Sequence, residues 1–377
     1  MQVAFYVCKD VLQISFSRLQ LANPYICLYK LQTTFIMENY RYQLQKYNGM
    51  KTKFQCPECQ DKHSFVKYID TETGQYLSDK VGRCDNEDKC GYHYKPKQYF
   101  NDNNITFTPN KDYCHPKPSK NRQITFIPTE IFNKSLKGYE QNTFINNLLN
   151  NIPYPFQIND VMRIINQYKL GTITKGYRAG AITFPFIDTN FNVRAVQVKQ
   201  FDNNNHTTDT DFLHSIIENS LVKQCKPLPS WLEAYNNNEK KVSCLFGAHL
   251  LTQYPKNTIA LVEAPKTAIY GTLYFGFPDN PKNLLWLAVY NISSLSLDKM
   301  QALKGRKVIL FPDLSKNGHA FNSWTIKAKE LSEKIPNTQF SVDDLLEKNA
   351  TLDLKTKGAD LADILINFDW KMFNRAV

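Results

Sequence analysis

Four closely spaced cysteines constrain the fold of this chain more than any other feature of its sequence. They are Cys56, Cys59, Cys84 and Cys90, arranged as a CPEC pair and a wider second pair. Short apolar segments such as FVKYI surround them and are separated by the turn-prone TETG, a pattern that predicts small β-hairpins with the cysteines at their turns. Such paired turns place four thiolates tetrahedrally around one zinc ion. The sequence therefore predicts a zinc ribbon over residues 37–100, in preference to four unrelated thiols.

The predicted zinc is structural, because a closed shell of four thiolates leaves no open position for water. The second cysteine pair is wider than ideal, so His93 or Cys114 remains an alternative ligand. The other cysteines, among nine in total, are scattered without the spacing of a disulfide framework. Since the chain also lacks a clear secretory signal, this pattern indicates reduced thiols and a cytoplasmic location.

Residues 1–36 are expected to have no fold of their own. Their apolar start, MQVAFYVC, is interrupted by Lys9 and Asp10, so it is too short to span a membrane. It also lacks the basic-then-apolar order and the small-residue cleavage site of a signal peptide. Met37 opens a polar segment that leads straight to the cysteines, and we expect translation to start there. A genuine amphipathic extension is the alternative.

The net charge of +11 predicts attraction to polyanions, of which nucleic acid and anionic membrane surfaces are the usual examples. Basic and aromatic residues are interleaved in the ribbon: Lys53, Lys62, Lys67, Arg83, Lys89, Lys95 and Lys97 with Phe54, Phe65, Tyr68, Tyr92, Tyr94 and Tyr99. This mixture suits single-stranded DNA, because phosphates need cations and unstacked bases need aromatic faces. In the plainer interpretation, the aromatic residues form the core of the ribbon and the lysines a solvated face.

Beyond the ribbon, we expect an α+β multidomain chain that continues through a linker at residues 101–124. Residues 125–250 combine short helices in IFNKSL, FINNLLN and DVMRIINQY with a half-exposed hairpin of AITFPFID and VRAVQVKQF. In residues 251–377, the predicted strands TIALVE, NLLWLAVY and KVILFPD alternate with helical segments. This alternation predicts an α/β domain with a parallel sheet covered on both faces.

Two acidic residues follow predicted strands of the parallel sheet. Glu263 comes after TIALV, and Asp313 comes after KVILFP. Ligands bind at the carboxyl ends of such strands, and two carboxylates that converge there could hold Mg²⁺. Alternatively, Glu263 is an acid at a helix N-terminus, and Asp313 is a turn or capping residue before SKNG.

These segments resemble the Toprim domain of bacterial DnaG-type primases and of related plasmid and phage primases. In those enzymes too, a zinc ribbon precedes the Toprim domain. Glu263 matches the Glu after the first Toprim strand, and Asp313 matches the first Asp of an Asp-x-Asp motif whose second Asp is replaced by Ser315. AITFPFIDTNFNVRAVQVKQF and CLFGAHLL are similar to the core that precedes Toprim in primases. From Met37 onward, the arrangement also resembles uncharacterised zinc-ribbon and Toprim-like proteins of Bacteroidetes genomes and mobile elements.

The resemblance implies that Glu263 and Asp313 bind Mg²⁺, with Asp360 and Asp363 as further carboxylates and Lys266 facing the triphosphate. It implies RNA primer synthesis on single-stranded DNA by nucleotidyl transfer, with nucleoside triphosphates and a replicative helicase as partners and no membrane. Ser315 favours an alternative in which catalysis is lost and the chain is a DNA-binding or replisome-recruiting module. A Toprim nuclease is the third alternative, since fold alone does not fix chemistry.

Basic residues outside the ribbon could contact a phosphate backbone or form an ordinary solvated face. They are Lys304, Arg306 and Lys307 before the Asp313 strand, and Arg163, Lys169, Lys175 and Arg178 around the middle helices.

Overall fold

The computed structural model describes residues 41–86, 90–103, 105, 124–238, 244–290 and 294–373. The expected N-terminal extension with Met37, most of the expected linker, Lys89 and Cys114 lie outside these residues. The described chain forms two compact units. The first extends to Asp85 and resumes from Cys90 to residue 105, and the second comprises residues 124–373.

The N-terminal unit is a four-stranded antiparallel sheet followed by a short helix. Its strands lie in the order β1 (Tyr42–Leu44), β2 (Phe65–Asp70), β3 (Gly82–Cys84) and β4 (His93–Tyr94), and α1 spans Pro96–Asp102. Phe65 on β2 lies opposite Cys84 on β3 and is buried with Cys56 and Cys84. Position 82 requires glycine, because a Cβ atom there would collide with the Val66 carbonyl and the Phe65 ring. The small core of this unit therefore includes two of the predicted zinc ligands.

The second unit begins with three helices in the segments where the sequence predicts them. They are α2 (Thr129–Asn133), α3 (Thr143–Asn146), which continues into a π-helical turn at Asn147–Asn151, and α4 (Ile158–Tyr168). An antiparallel sheet follows in the order β5 (Gly171–Thr172), β6 (Ile182–Ile187), β7 (Val193–Phe201) and β8 (Thr207–Phe212). Helices α5 (Leu213–Lys223) and α6 (Ser230–Asn237) complete this region.

The expected half exposure of the β6–β7 hairpin is wrong. β6 is buried along its whole length and β7 along most of it. Phe184 packs into one hydrophobic cluster and Val196 into another, because both faces of the hairpin are covered, and Gln197 is only 2% exposed. Strand β8 is an addition to the prediction, since its exposed polar residues carry no apolar periodicity.

A four-stranded parallel sheet forms the C-terminal region, as predicted. Its order is β10 (Leu285–Ala288), β9 (Ile259–Val262), β11 (Lys307–Phe311) and β12 (Gln339–Val342), of which β12 is an addition to the prediction. The helices are α7 (Pro265–Phe275), α8 (Leu297–Met300), α9 (His319–Lys334), α10 (Leu345–Asn349), α11 (Leu352–Lys357) and α12 (Leu361–Leu365). β9 and β10 are buried throughout, which explains their uninterrupted apolar sequences. Because β9 and β11 are neighbours, the residues that follow them lie at the same edge of the sheet.

One hydrophobic cluster runs through the second unit, with members from Phe144 to Leu365. Within it, the Tyr168 hydroxyl donates to the Trp286 carbonyl at 2.8 Å. The packing is therefore continuous across residue 250, where the sequence suggests a boundary between domains. Single 3₁₀ turns lie at Met50–Thr52, Tyr139–Gln141, Ala248–Leu250, Gln301–Leu303 and Trp370–Met372. No helix among the described residues combines the length and apolar character needed to cross a membrane.

Candidate functional site

The four predicted zinc ligands come together in the N-terminal unit. Their sulfur atoms all lie within 4.8 Å of one another. The distance is 3.7 Å between Cys56 Sγ and Cys90 Sγ, and 3.8 Å between Cys59 Sγ and Cys84 Sγ. Four sulfurs bound to zinc at about 2.3 Å form a tetrahedron with edges of about 3.8 Å. The cluster therefore has the dimensions and the chemistry of a structural zinc site.

Tight backbone turns bring the two cysteine pairs into this arrangement. At CPEC, the Gln60 N–H donates to the Cys56 carbonyl at 3.0 Å, and Gln60 itself adopts a φ of 60°. At the second pair, the Cys84 N–H donates to the Tyr92 carbonyl at 2.8 Å, which closes the loop that carries Cys90. The backbone hydrogen bonds of the two turns therefore help to set the cysteine positions.

His93 does not join the cysteine cluster. Its Nε2 atom forms a hydrogen bond of 2.9 Å with the Tyr68 hydroxyl, and the two rings stack. The four sulfurs accordingly form the ligand set, and the alternative ligand Cys114 lies outside the described residues.

Most aromatic residues predicted to contact DNA serve the structure of the ribbon instead. Phe65 is fully buried, Phe54 and Tyr92 pack against the same core, and the Tyr94 hydroxyl donates to Asp102. The aromatic rings that the ribbon exposes most are Tyr47 and Tyr76, at 68% and 41%. Neither tyrosine is among the aromatic residues that the sequence analysis predicted to contact DNA. Those residues were chosen from the segments around the cysteines, and Tyr47 lies before these segments, in a polar stretch. An aromatic residue among polar neighbours is the signal that would have found it.

The ribbon lysines also divide into two groups. Lys53 pairs with Asp85 and its ammonium lies 5.7 Å from the centre of the Tyr47 ring, while Lys67 pairs with Asp79 and lies 5.5 Å from that of Tyr76. Lys62, Lys95 and Lys97 are exposed, and Arg83 is half-buried. The ribbon therefore carries both exposed cations and exposed rings on one small unit.

Glu263 and Asp313 meet at the carboxyl edge of the parallel sheet. Glu263 follows β9 directly and precedes α7, which begins at Pro265. Asp313 follows the neighbouring strand β11, and its backbone N–H donates to Glu263 Oε1 at 3.4 Å. Since the two strands are parallel and adjacent, their registers bring these residues together as expected.

The Asp313 carboxylate lies in an unfavourable environment for a negative charge. Its Oδ1 atom is buried and has no hydrogen-bond partner. Burial, and then the neighbouring negative charge of Glu263, raise the pKa of Asp313 well above its usual value. Asp360 and Asp363 act in the same direction, whereas Lys266 opposes them. A divalent cation bound here would neutralise the carboxylates and supply the missing partner of Oδ1.

Lys266 does not face open solvent, where a triphosphate could reach it directly. Its ammonium lies 3.1 Å from Asp360 Oδ2 and 2.5 Å from Asp363 Oδ1, and its side chain is 9% exposed. The nearby carboxylates raise the pKa of Lys266 despite its burial. Asp360 and Asp363, the expected further carboxylates, both pair with the Lys266 ammonium.

Ser315, which replaces the second Asp of the expected motif, has a structural role. It is 3% exposed, and its hydroxyl accepts the backbone N–H of Ala320 at 3.0 Å, in the first turn of α9. A helix start leaves N–H groups without intrahelical acceptors, and Ser315 satisfies one of them. The turn after β11 therefore contributes Asp313 as its only carboxylate.

The other basic residues fall into two classes. Two arginines are structural: Arg306 donates to the carbonyls of Tyr254 and Asn257, and Arg178 pairs with Asp209 and Asp211. Arg163 is exposed and pairs with the exposed Asp279, and the lysines Lys169, Lys175, Lys304 and Lys307 are exposed. The four lysines and Arg163 therefore retain a charge that a phosphate backbone can reach.

Among the residues that the structure describes, three or more metal-binding side chains converge only at the four cysteines. The sheet edge brings together two carboxylates, Glu263 and Asp313, with Asp360 and Asp363 beside Lys266. Thr267, which the prediction omits, belongs to this group because its hydroxyl donates to Asp360 Oδ2 at 3.0 Å. Its position at the start of α7, directly after Lys266, is the sequence signal that could have identified it.

Two family models match the sequence. Residues 142–314 match a model described as a domain of unknown function, DUF6371, and this span includes Glu263, Lys266 and Asp313. Residues 40–105 match a model described as a zinc beta-ribbon finger. No curated protein matches the chain.

The solved structures that are similar to the chain include two of primases. One contains the zinc-binding and RNA polymerase domains of the Aquifex aeolicus primase, at 12% identity and a TM-score of 0.32, covering 90% of this chain and 82% of that chain. The other is the DnaG primase catalytic domain bound to single-stranded DNA, at 14% identity and a TM-score of 0.27, covering 61% of this chain and 71% of that chain. The zinc-ribbon match agrees with the geometry of the four cysteines, so the N-terminal unit is a zinc ribbon.

Proposed function

We propose that this chain is a primase-like nucleic-acid-binding protein that makes RNA primers on single-stranded DNA. In this proposal, the ribbon contacts the template, and Glu263 and Asp313 bind the Mg²⁺ ion needed for nucleotidyl transfer. The resemblance of the VEAPKTA and FPDLS segments to Toprim supports the assignment.

One observation carries the proposal: the buried, partnerless Oδ1 of Asp313 lies beside Glu263 at the carboxyl edge of a parallel sheet. A buried acceptor without a donor costs about 1–3 kcal/mol. Two adjacent carboxylates add like-charge repulsion to this cost. Both costs disappear when a divalent cation binds, which is the behaviour expected of an oxygen-ligand metal site.

The residues of the chain would divide the work of the reaction. Glu263 holds the cation from the residue directly after β9, and Asp313 holds it from the turn that follows β11. When bound, Mg²⁺ activates the attacking hydroxyl and neutralises charge on the departing pyrophosphate. Since phosphoryl transfer depends mainly on positioning and charge, the protein's contribution is to hold the ion and substrates in fixed geometry.

The ribbon offers a surface suited to the template strand. Tyr47 and Tyr76 expose their rings, and the same unit exposes Lys62, Lys95 and Lys97. Aromatic stacking contributes about 1–3 kcal/mol per base, and it does not depend on base identity. A primase-like protein needs such sequence-tolerant contacts with single-stranded DNA.

A second candidate is a DNA-binding or replisome-recruiting module that has lost catalysis. The observation that favours it is the use of Ser315 as a buried helix cap, which leaves the turn after β11 with a single carboxylate. In this alternative, the sheet edge is a structural remnant, and the ribbon alone carries the function.

Primer synthesis by the full chain would distinguish these candidates. The zinc-loaded protein is incubated with single-stranded DNA, labelled ribonucleotides and Mg²⁺, beside Glu263→Gln and the matched control Glu333→Gln, whose side chain is exposed on α9. We expect short labelled products from the wild type and the control and none from Glu263→Gln. Absence of product from all three proteins, with salt-sensitive DNA binding intact, would favour the binding module.

A parallel incubation without ribonucleotides tests the nuclease alternative. Cleavage of labelled DNA that requires Mg²⁺ and Glu263 would replace the primase proposal with a nuclease. DNA that remains intact under these conditions is the expected result.

A further inference from the structure

The ammonium group of the lysine at the sheet edge is held by carboxylate oxygen atoms from two aspartates. The Lys266 ammonium contacts Asp360 Oδ2 at 3.1 Å and Asp363 Oδ1 at 2.5 Å. The Asp360 and Asp363 side chains are 10% and 29% exposed. Charges this well buried are costly to leave unpaired, so the ammonium is needed to neutralise the two aspartates.

Both aspartates are fixed independently of the lysine. They form a capping box at the start of α12, in which the Asp363 N–H donates to Asp360 Oδ1 at 2.8 Å and the Asp360 N–H donates to Asp363 Oδ2 at 3.1 Å. The Thr267 hydroxyl donates to Asp360 Oδ2 at 3.0 Å. The oxygen atoms that face the ammonium are therefore held in place by backbone and side-chain bonds, as the ligands of a cation site are.

A small cavity with a mixed polar and apolar lining adjoins this group. It has a volume of about 30 Å³ and is lined by residues that include Asn204, His206, Lys266 and Asp363. A space of this size holds about two water molecules, since one needs about 10–15 Å³. The surroundings of the ammonium thus resemble those of a hydrated divalent cation, with two carboxylates and room for water.

We propose that Lys266 is a built-in cation that occupies the place of a second divalent ion, so that the sheet edge binds one divalent ion, at Glu263 and Asp313. This inference rests on the proposed function of that site. Lys266 is here a positioning residue: it neutralises Asp360 and Asp363 permanently and leaves Glu263 and Asp313 as the only carboxylates that need a metal. Ser315 fits this arrangement, because the turn after β11 adds no further carboxylate for a second ion.

Counting Mn²⁺ ions tests the inference without any assay of activity. The zinc-loaded full chain is titrated with Mn²⁺, and free Mn²⁺ is followed by electron paramagnetic resonance. We expect one bound ion per wild-type chain and two per Lys266→Ala chain, because removal of the ammonium exposes the oxygen atoms of Asp360 and Asp363. The control Lys329→Ala, at an exposed position of α9, should bind one.

Asp363→Asn provides a second test that does not depend on the folding of Lys266→Ala. If Lys266 replaces a metal ion, Asp363 is not a metal ligand, and Asp363→Asn should bind one Mn²⁺ ion with the affinity of the wild type. Loss of Mn²⁺ binding in Asp363→Asn would overturn the inference, as would two ions in the wild type or a single ion in folded Lys266→Ala.

The proposed function fails in a different way. If Glu263→Gln and Asp313→Asn bind Mn²⁺ as the wild type does, the metal site itself is wrong and the inference falls with it. If these two variants lose the ion while Lys266→Ala gains none, the metal site stands and only the role of Lys266 is refuted.

Discussion

Replacing Asp313 by Asn should make the Mg²⁺-free protein more stable while removing its response to Mg²⁺. In the wild type, the buried Oδ1 atom has no partner, and the Glu263 carboxylate lies next to it. The amide of Asn has nearly the same shape and no charge, and its N–H groups can donate to Glu263. The substitution therefore removes a repulsion and adds a donor where one is missing.

The expected gain follows from the cost of a buried unsatisfied acceptor, which is about 1–3 kcal/mol. In a unit of this size, each kcal/mol raises the midpoint of thermal unfolding by about 2–4 °C. The effect has a defined pH dependence. Because the pKa of Asp313 is raised in the folded state, the folded wild type binds more protons than the unfolded chain, and its stability falls as pH rises above about 3.9. The advantage of Asp313→Asn should thus grow between mildly acidic and neutral pH.

Tryptophan fluorescence is the suitable probe, because every tryptophan lies in the second unit, at Trp231, Trp286, Trp324 and Trp370. Thermal unfolding is followed for the zinc-loaded wild type and Asp313→Asn, in buffer with and without Mg²⁺. A chelator is avoided, since it would remove zinc from the ribbon. Asp298→Asn, at an exposed position of α8, is the matched control, with an expected change within about 0.5 kcal/mol.

Mg²⁺ should raise the unfolding midpoint of the wild type and of Asp298→Asn, because an ion that binds only the folded state stabilises it. It should leave Asp313→Asn unchanged. A variant less stable than the wild type in Mg²⁺-free buffer would refute the view of Asp313 as a strained carboxylate. An equal Mg²⁺ response in both proteins would refute its role as a ligand.

Three further substitutions test other parts of the structure. Cys56→Ser should lose zinc and unfold the ribbon, whereas the exposed Cys225→Ser should retain both, as measured by metal analysis and circular dichroism; full zinc content in soluble Cys56→Ser would contradict the zinc assignment. Burial lowers the pKa of His249, so the folded state binds fewer protons than the unfolded chain, and the free energy of unfolding should fall as pH drops below about 6.5. His249→Gln should flatten this pH dependence in urea unfolding, and an unchanged slope would show that His249 is not its source. Ser315→Ala should lower stability by about 1 kcal/mol, because the Ala320 N–H in the first turn of α9 loses its acceptor. The exposed Ser323→Ala should change it little, and equal effects in the same urea assay would argue against this role of Ser315.

Local sequence patterns were sufficient for the elements that depend on short-range physics. The CPEC pair and its later partners identified the zinc ribbon, because ligand type and spacing are visible in the chain itself. The strands before Glu263 and Asp313 could also be predicted from the sequence, since strands covered on both faces need uninterrupted apolar residues. Their parallel arrangement followed from alternation with helices, and it placed two carboxylates at one edge.

Tertiary contacts decided the remaining features. No local pattern reveals that β6 and β7 are covered on both faces. In the sequence, Gln197 and Lys199 suggest a solvent-exposed face, and only the two hydrophobic clusters of the folded protein show that both faces are covered. The partners of Lys266 lie about a hundred residues away, so only the packing of α12 against α7 shows its ammonium held by Asp360 and Asp363. Sequence alone thus determined the four cysteines of the ribbon and predicted which acidic residues to consider for a metal site. The tertiary structure decided which of these charges are already neutralised, because ion pairing depends on distances through space.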